Sequence, residues 1–315
     1  MDSTETKTFI EEIIQAHGGR GLWNSLNGLE VRISAWGFLF KAKHLPVLNH
    51  TRIWASTQQP HLIFYDFPKA GQTGEFIGTE EVRIRGSNGQ VLQSRSMPRA
   101  AFRGLRRNLW WDFLDFIYFG GYATWNYLVT PFLFLRAGFT FEYLGERNDK
   151  TGRLFCFRIL FPDDVPTHCR THTFYFYKHK LLRRLDYTAE VVGSWAHAAH
   201  VCNAYRDFAG LKIPTHRRVR PLLFNRILRG PTLVALENEE PRSRAARYLI
   251  VRSYYFHIRS LSDSRCTTQV SYFFSTEYLS SDHSLQPPLS AFALKPFAIS
   301  FSATRALVPS LGQAQ

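Results

Sequence analysis

Two aspartates, Asp112 and Asp115, stand three residues apart within a run of aromatic residues. On a helix this spacing places both carboxylates on the same face. Their apolar neighbours would disfavour ionisation, raise a carboxyl pKa and suit one of the two for general acid or base catalysis. Aspartates are equally typical of the first turn of a helix, where they stabilise its N-terminus. We therefore treat the pair as candidate catalytic residues with a structural alternative.

A second candidate pair is His200 and Asp207. Both lie in a segment with the alternation of a strand, and Asp186 lies in the strand-like segment before it. If the two segments pair, His200 could contact Asp186 or Asp207 and act as a base near neutral pH. Contacts between histidine and aspartate on neighbouring strands also serve purely structural roles. The sequence leaves both interpretations open.

Asp163, Asp164, His168 and His172 form a group of side chains that could bind a divalent metal. Nearby prolines indicate a loop, whereas the spacing of four between the histidines suits a helix. The cysteines lack CxxC spacing, and the chain contains no P-loop, GxGxxG, GxSxG or HExxH motif. We predict no metal site and no cofactor.

The chain is strongly basic, with a formal net charge of +14 from 39 Lys and Arg against 25 Asp and Glu. Such a charge attracts phosphates, anionic lipid or acidic partners. The basic residues are dispersed, however, and no nucleic-acid-binding motif accompanies them. We predict no nucleic-acid partner and leave peripheral contact with a membrane open. The polar N-terminus lacks a secretory signal, so we expect a cytoplasmic location, with membrane association as the alternative.

An uncharged, aromatic-rich stretch runs from Phe116 to Leu135. Its length matches a helix that crosses a bilayer, but Gly120, Gly121, Asn126 and Pro131 interrupt it. Aromatic side chains also favour membrane interfaces over the bilayer centre. We predict two buried helical pieces, hinged at the two glycines and kinked or ended by the proline, with a membrane-surface segment as the alternative.

Most of the remaining chain has the pattern of strands. Residues 7–17 carry apolar side chains at helical spacing, whereas apolar and polar side chains alternate along 29–40 and 52–67, as in strands. We expect 81–85 and 91–95 to pair as a hairpin with a tight turn. Short strands continue from 139 to 219 and are typical of an antiparallel meander.

These patterns predict an α+β fold, a large curved antiparallel β-sheet that forms an unclosed barrel. It should pack on the N-terminal helix and on the central aromatic-rich helices. We expect residues 1–240 to form this single domain. The serine-rich residues 241–315 lack steady periodicity and are expected to be a poorly ordered or accessory segment.

The segment AHGGRGLWNSLNGLEVRISAWG, at residues 16–37, resembles the start of bacterial proteins related to the lipoprotein carrier LolA. The later segments LLRRLDYTAEVVG and FAGLKIPTHRRVRP resemble strands of the same group, so the resemblance covers residues 9–236. It implies an unclosed barrel over helices with an apolar cavity, which in the carriers accepts lipid acyl chains. This chain departs from the carriers in lacking an export signal and in carrying the insert at 109–135, which could fill the cavity.

Two functional hypotheses follow. The first is binding or carrying of an apolar small molecule or lipid, since aromatic side chains line apolar pockets. The second is a small-molecule pathway enzyme, a cyclase, isomerase or dehydratase acting on an apolar metabolite such as a polyketide or terpenoid. Aromatic rings, carboxylates and histidines could stabilise cationic or enol intermediates. The predicted ligand-binding residues are Trp36, Phe38, Trp54, Phe64, Tyr118, Trp125, Tyr175 and Tyr187.

Overall fold

The computed structural model describes residues 1–104, 109–239 and 251–252. All of them fall within one unit that spans Met1–Tyr255. The predicted accessory segment, 241–315, therefore lies outside the described residues except for 251–252, and its order stays a prediction.

The described chain forms mainly strands. Four α-helices accompany them: α1 Ser3–Ala16, α2 Arg20–Asn24, α3 Phe38–Ala42 and α4 Phe113–Val129, together with 3-10 helices at Pro98–Ala101 and Phe132–Leu135. The strands are β1 Leu26–Trp36, β2 Leu48–Ser56, β3 His61–Tyr65, β4 Thr73–Ile77, β5 Glu81–Arg85, β6 Val91–Ser96, β7 Thr140–Asp149, β8 Gly152–Leu160, β9 Thr171–Tyr177, β10 Leu182–Thr188, β11 His197–Phe208, β12 Leu211–Leu223, β13 Arg226–Ile227, β14 Val234–Glu239 and β15 Val251–Arg252.

The strands form one antiparallel sheet in the order β6-β5-β4-β3-β2-β1-β14-β12-β11-β10-β9-β8-β7, with β13 beside β12 and β15 beside β1. Strand β14 pairs with β1 through Leu236 and Ala35, and with β12 through Leu236 and Arg217. It thereby joins an N-terminal meander to a C-terminal one. No pairing between the described strands joins β6 to β7, so the sheet stays open. The predicted fold, an unclosed barrel of antiparallel strands packed on helices, is confirmed.

Helix α4 runs through the concave face of the sheet. Its side chains meet β3 and β4, where Phe116 lies 5.8 Å from Phe64 and Tyr118 lies 6.1 Å from Phe76, measured between ring centroids. Helix α1 packs against the half of the sheet that contains β8, where the ring centroids of Phe9 and Phe157 lie 5.0 Å apart. The aromatic insert is thus a core element.

The predicted hinge at Gly120-Gly121 is wrong, because α4 continues through both glycines as one helix. A Cβ atom on Gly121 would lie 2.4 Å from Cβ of Phe76. The residue therefore allows the helix backbone to approach β4 closely, and its small size serves packing rather than bending. A kink or an end was expected at Pro131, and the structure shows an end, since α4 stops at Val129.

Two local predictions also need correction. The strand predicted over 29–40 ends at Trp36, and the following FLFKA forms α3. Gly37 makes this change of direction possible, because its φ of 137° is a conformation that other residues rarely adopt. Strands β4 and β14 were not predicted. Among the described residues, no helix is both long enough and apolar enough to cross a membrane.

Candidate functional site

The acid pair lies at the start of α4. Asp112 is the N-cap residue, and its side chain accepts the backbone N–H of Asp115 at 2.8 Å. The Asp115 carboxylate accepts the Asp112 N–H in return, which completes a capping box. The guanidinium of Arg95 donates to both carboxylates at 2.6 Å. The geometry gives both aspartates partners at the helix start, and their proposed catalytic role stays untested.

The second pair is not brought together. His200 lies on β11 opposite Leu185 of β10, so that its side chain shares the concave face, whereas Asp186 pairs with Ala199 on the opposite face. There Asp186 binds Arg184 at 2.6 Å. Asp207 is exposed near the end of β11 and accepts the Gly210 N–H at 2.7 Å. The expected contact of His200 with either aspartate is therefore absent.

The predicted ligand-binding residues separate into two groups. Those that face away from the concave side are Trp36, Phe38, Trp54 and Tyr175, of which Trp36 and Phe38 are exposed and Tyr175 donates to Asp186. Those that lie in the interior are Phe64, Tyr118, Trp125 and Tyr187. Tyr118 and Trp125 are side chains of α4 itself, whereas Phe64 lies on β3 and Tyr187 on β10.

A buried hydrogen-bonded cluster, here called the tyrosine–histidine cluster, lies on one side of α4. It comprises Tyr122 and Tyr127 of the helix, His168, and Tyr187 of β10. The His168 ring bonds the Tyr122 hydroxyl through Nδ1 at 3.0 Å and the Tyr127 hydroxyl through Nε2 at 2.9 Å. Tyr127 also bonds Tyr187 at 3.1 Å between hydroxyl oxygens, and the Tyr187 ring stacks on His168 at 4.0 Å.

Burial keeps this cluster neutral. It lowers the pKa of His168 well below its ordinary value and raises the pKa of Tyr127 and Tyr187. A neutral imidazole has one donor and one acceptor nitrogen, so one tyrosine donates to His168 and the other accepts from it. The neighbouring His172 has its pKa lowered to about 3 by burial. These histidines act as uncharged hydrogen-bonding groups near neutral pH.

Arg217 is the buried cation next to the cluster. It is 2% exposed, and its guanidinium donates to the backbone oxygen of Tyr127 at 2.5 Å and to Sγ of Cys202 at 3.2 Å. Tyr127 lies in the last turn of α4, whose carbonyls carry partial negative charge. The helix end therefore stabilises the buried positive charge. The cavity between Arg217, Asn126 and His172 measures only about 10 Å³, which is room for one water molecule.

A larger cleft lies on the other side of α4, near its C-terminal end. It measures about 150 Å³. Its apolar wall is made by side chains from α2, α4 and the 3-10 helix that follows, namely Trp23, Trp125, Val129, Phe132, Leu133 and Leu135. Its polar edge is made by Asn24, Thr57, Gln58 and Arg136.

Two ring contacts fix the wall of this cleft. Trp23 and Phe132 stack with centroids 4.3 Å apart and an angle of 4° between the rings. Trp125 donates its indole N–H to the carbonyl oxygen of Ser56 at 2.8 Å. This hydrogen bond fixes the position of the ring and gives the buried N–H a partner. Arg136 donates to the Gln58 carbonyl at 3.2 Å and closes one side. The cleft is thus a preformed apolar surface with a polar edge, and we take it as the candidate functional site.

The suggested metal ligands do not converge. Asp163 and Asp164 are exposed and pair with Arg170 and Arg136, whereas His168 and His172 are buried. Within the described ranges, no three His, Cys, Asp or Glu side chains are arranged to hold a metal ion.

Sequence reasoning identified Trp125 but missed Trp23 and Phe132. A partial signal was present, because Trp125 and Val129 are four residues apart and so share one face of α4. Trp23 belongs to the segment at residues 16–37 that resembles LolA-related proteins, but it lies about one hundred residues from Trp125. Only the folded chain brings the two indoles to one cleft.

The sequence matches no protein-family model and no curated protein at a significant level. Solved structures to which this chain is similar include a LolA superfamily protein from Nitrosomonas europaea, at 10% identity and a TM-score of 0.44 over 73% of this chain and 90% of that one. A putative outer membrane lipoprotein-sorting protein domain from Vibrio parahaemolyticus has 10% identity and a TM-score of 0.43 over 76% and 92%. A DUF1329 family protein from Desulfovibrio piger has 11% identity and a TM-score of 0.44 over 76% and 93%.

Proposed function

We propose that the protein binds an apolar small molecule, or the end of a lipid chain, in the cleft between α2 and the C-terminal end of α4. The observation that supports this most directly is a cleft of about 150 Å³ whose apolar wall includes Trp23, Trp125 and Phe132. Apolar cavities of this size bind benzene-sized molecules. The polar edge around Arg136 and Gln58 would face the polar end of the ligand or the solvent.

The size of the cleft limits the ligand. Because α4 fills the rest of the concave face, the cleft holds a ring or a segment of about six carbons. Burying six methylene groups at about 0.8 kcal/mol each gives about 5 kcal/mol, which corresponds to a Kd on the order of 0.1–1 mM. A longer chain binds more tightly only if it also covers surface outside the cleft.

Titration of the full chain with saturated fatty acids of increasing length, followed by tryptophan fluorescence, tests the proposal. Trp23 and Trp125 line the cleft, so saturable changes are expected. The blocking variant is Asn24→Trp, which places a large ring at the exposed mouth, and the matched control is the exposed Asn148→Trp on β7. We expect Asn24→Trp to weaken binding at least tenfold, and the control to bind like the wild type. Equal affinity of all three proteins would contradict the assignment of the cleft.

A further inference from the structure

A β-hairpin formed by the end of β12 and by β13 projects beyond the neighbouring strands. Pro221 is the last residue of β12 that pairs with β11, and Val219 is the last that pairs with β14. Among the described strands, Leu222 and Leu223 pair only with β13. We call residues 220–229 the projecting hairpin. At about 3.3 Å per residue, its turn lies roughly 10 Å past Pro221.

The turn of the projecting hairpin carries apolar side chains outward. Phe224 and Asn225 form a two-residue turn with φ angles of 46° and 61°, both positive as a type I′ turn requires. The register pairs Leu223 with Arg226, so Leu223 and Leu228 lie on the same face of the hairpin. Phe224 is 89% exposed, Leu223 48% and Leu228 40%. Turn and register thus hold three large apolar side chains at one tip.

The projecting hairpin carries a net positive charge. Its only charged side chains are those of Arg220, Arg226 and Arg229, and all three residues are exposed. The chain has no aspartate or glutamate between Asp207 and Glu237. Within the part of the chain that the structure describes, none of the three arginines takes part in an ion pair. The hairpin therefore presents three positive charges together with its apolar tip.

Carboxylates on the elements next to the hairpin do not compensate these charges, because each is bound by an arginine outside the hairpin. The pairs are Asp186 with Arg184 at 2.6 Å, Glu190 with Arg99 at 2.7 Å and Glu237 with Arg218 at 2.8 Å. The positive charge of the hairpin is thus left for a partner outside the described chain.

An exposed tryptophan lies at the base of the projecting hairpin. Trp195 is 71% exposed and lies in the turn that leads into β11, and Ala198, three residues later, pairs with Pro221. Tryptophan and arginine are typical of the headgroup level of a membrane, whereas apolar side chains reach the boundary with the acyl chains, about 5–10 Å deeper. The order from base to tip, tryptophan and arginines first and phenylalanine last, matches this arrangement.

We infer that the projecting hairpin docks the protein on an anionic membrane surface, with the Phe224 turn inserted among the headgroups and the three arginines beside the lipid phosphates. Anionic lipid attracts each basic residue near the surface, and insertion removes the apolar tip from water. A nucleic acid would use the arginines but leave the leucines exposed, and a second copy would bring the same positive charges. The inference does not depend on the ligand cleft, because no residue of 220–229 lines it.

Flotation of the full chain with vesicles of phosphatidylcholine, with and without phosphatidylserine, tests the inference. Binding is expected only when phosphatidylserine is present, and it should weaken at high salt. The double variant Leu223→Ser with Phe224→Ser should bind at least about tenfold more weakly. The matched control is Val91→Ser with Leu92→Ser, because these side chains are 48% and 42% exposed at the start of β6, in another hairpin. The control should bind like the wild type.

A second pair of variants separates the charge of the hairpin from the charge of the whole chain. Arg226→Gln with Arg229→Gln should also weaken binding to anionic vesicles at least about tenfold. Arg153→Gln with Arg158→Gln removes the same charge from β8, where each arginine is paired with a glutamate of β7. This control should retain wild-type binding, and circular dichroism should show that all four double variants are folded.

Brominated lipids that quench tryptophan report on insertion of the turn. Phe224→Trp should be quenched more than the wild type, and Leu92→Trp should be quenched no more than the wild type. Absence of binding to anionic vesicles, equal losses in either variant and its control, or no added quenching of Phe224→Trp would each overturn the inference. So would tighter binding of an oligonucleotide that the same variants weaken, or a concentration-dependent dimer that Leu223→Ser with Phe224→Ser abolishes while vesicle binding persists.

Discussion

His17 shows at the scale of one residue how burial fixes a protonation state. Its ring is 2% exposed, and its Nδ1 donates to the Ile13 carbonyl at 2.8 Å. Burial lowers its pKa to about 4 from an ordinary value near 6.5. His168, His172 and His200 are also buried, and burial lowers the pKa of each.

Acid should therefore destabilise the fold. Between the folded and unfolded pKa values the unfolded chain binds more protons at these histidines, so the free energy of unfolding falls as the pH drops below about 6.5. For His17 the loss is complete below about pH 4 and amounts to about 3 kcal/mol. Urea denaturation at several pH values should show a steep decline from pH 6.5 towards 4.

The variant His17→Gln isolates this contribution. It should flatten the pH dependence by up to about 1.4 kcal/mol per pH unit in that range, which is the effect of one proton. The exposed His216→Gln should retain the wild-type slope. Parallel slopes for all three proteins would show that His17 does not titrate as its burial indicates.

At the scale of elements, α4 depends on a close approach to the sheet. Gly120 and Gly121 are adjacent, yet their surroundings differ. A Cβ on Gly120 would lie 3.5 Å from the nearest atoms of Phe64 and Phe116, which is ordinary contact, whereas on Gly121 it would collide with Phe76.

Two alanine substitutions distinguish a hinge from a packing site. Gly121→Ala should lower the free energy of unfolding by about 1–3 kcal/mol, because Phe76 or the helix must move. Gly120→Ala should be neutral or raise it by up to about 1 kcal/mol, because alanine favours the helix. Thermal unfolding followed by circular dichroism gives both values. Similar effects of the two substitutions would contradict the packing assignment.

At the scale of the whole molecule, β14 carries the connection between the two meanders. Leu236 is 5% exposed on the concave side and pairs with Ala35 of β1 and Arg217 of β12. The two meanders contribute to one hydrophobic core. Loss of packing at this strand should therefore weaken the fold on both sides.

Leu236→Ala should lower the free energy of unfolding by about 2–5 kcal/mol, the usual cost of removing a buried leucine side chain. Leu228, which is 40% exposed, provides the control, and its alanine variant should change stability much less. Urea denaturation followed by tryptophan fluorescence and by circular dichroism measures both. A small effect at Leu236 would mean that the meanders are held together elsewhere.

The sequence alone determined the class of the fold. Alternation along 52–67, 81–95 and 139–219 predicted an antiparallel meander, and these segments form strands, because each strand buries one face and exposes the other. The acidic start and the proline near the end of α4 also indicated the limits of that helix. Such features depend on residues close together in the chain.

Tertiary structure decided the rest. Whether Gly121 bends a helix or packs against Phe76 depends on a strand some 45 residues earlier. The pairing of β14 with β1 and β12 joins segments about 200 and 20 residues apart. The cleft likewise needs Trp23 and Phe132 to stack. No local pattern encodes these contacts, because they follow from how the whole sheet curves around α4.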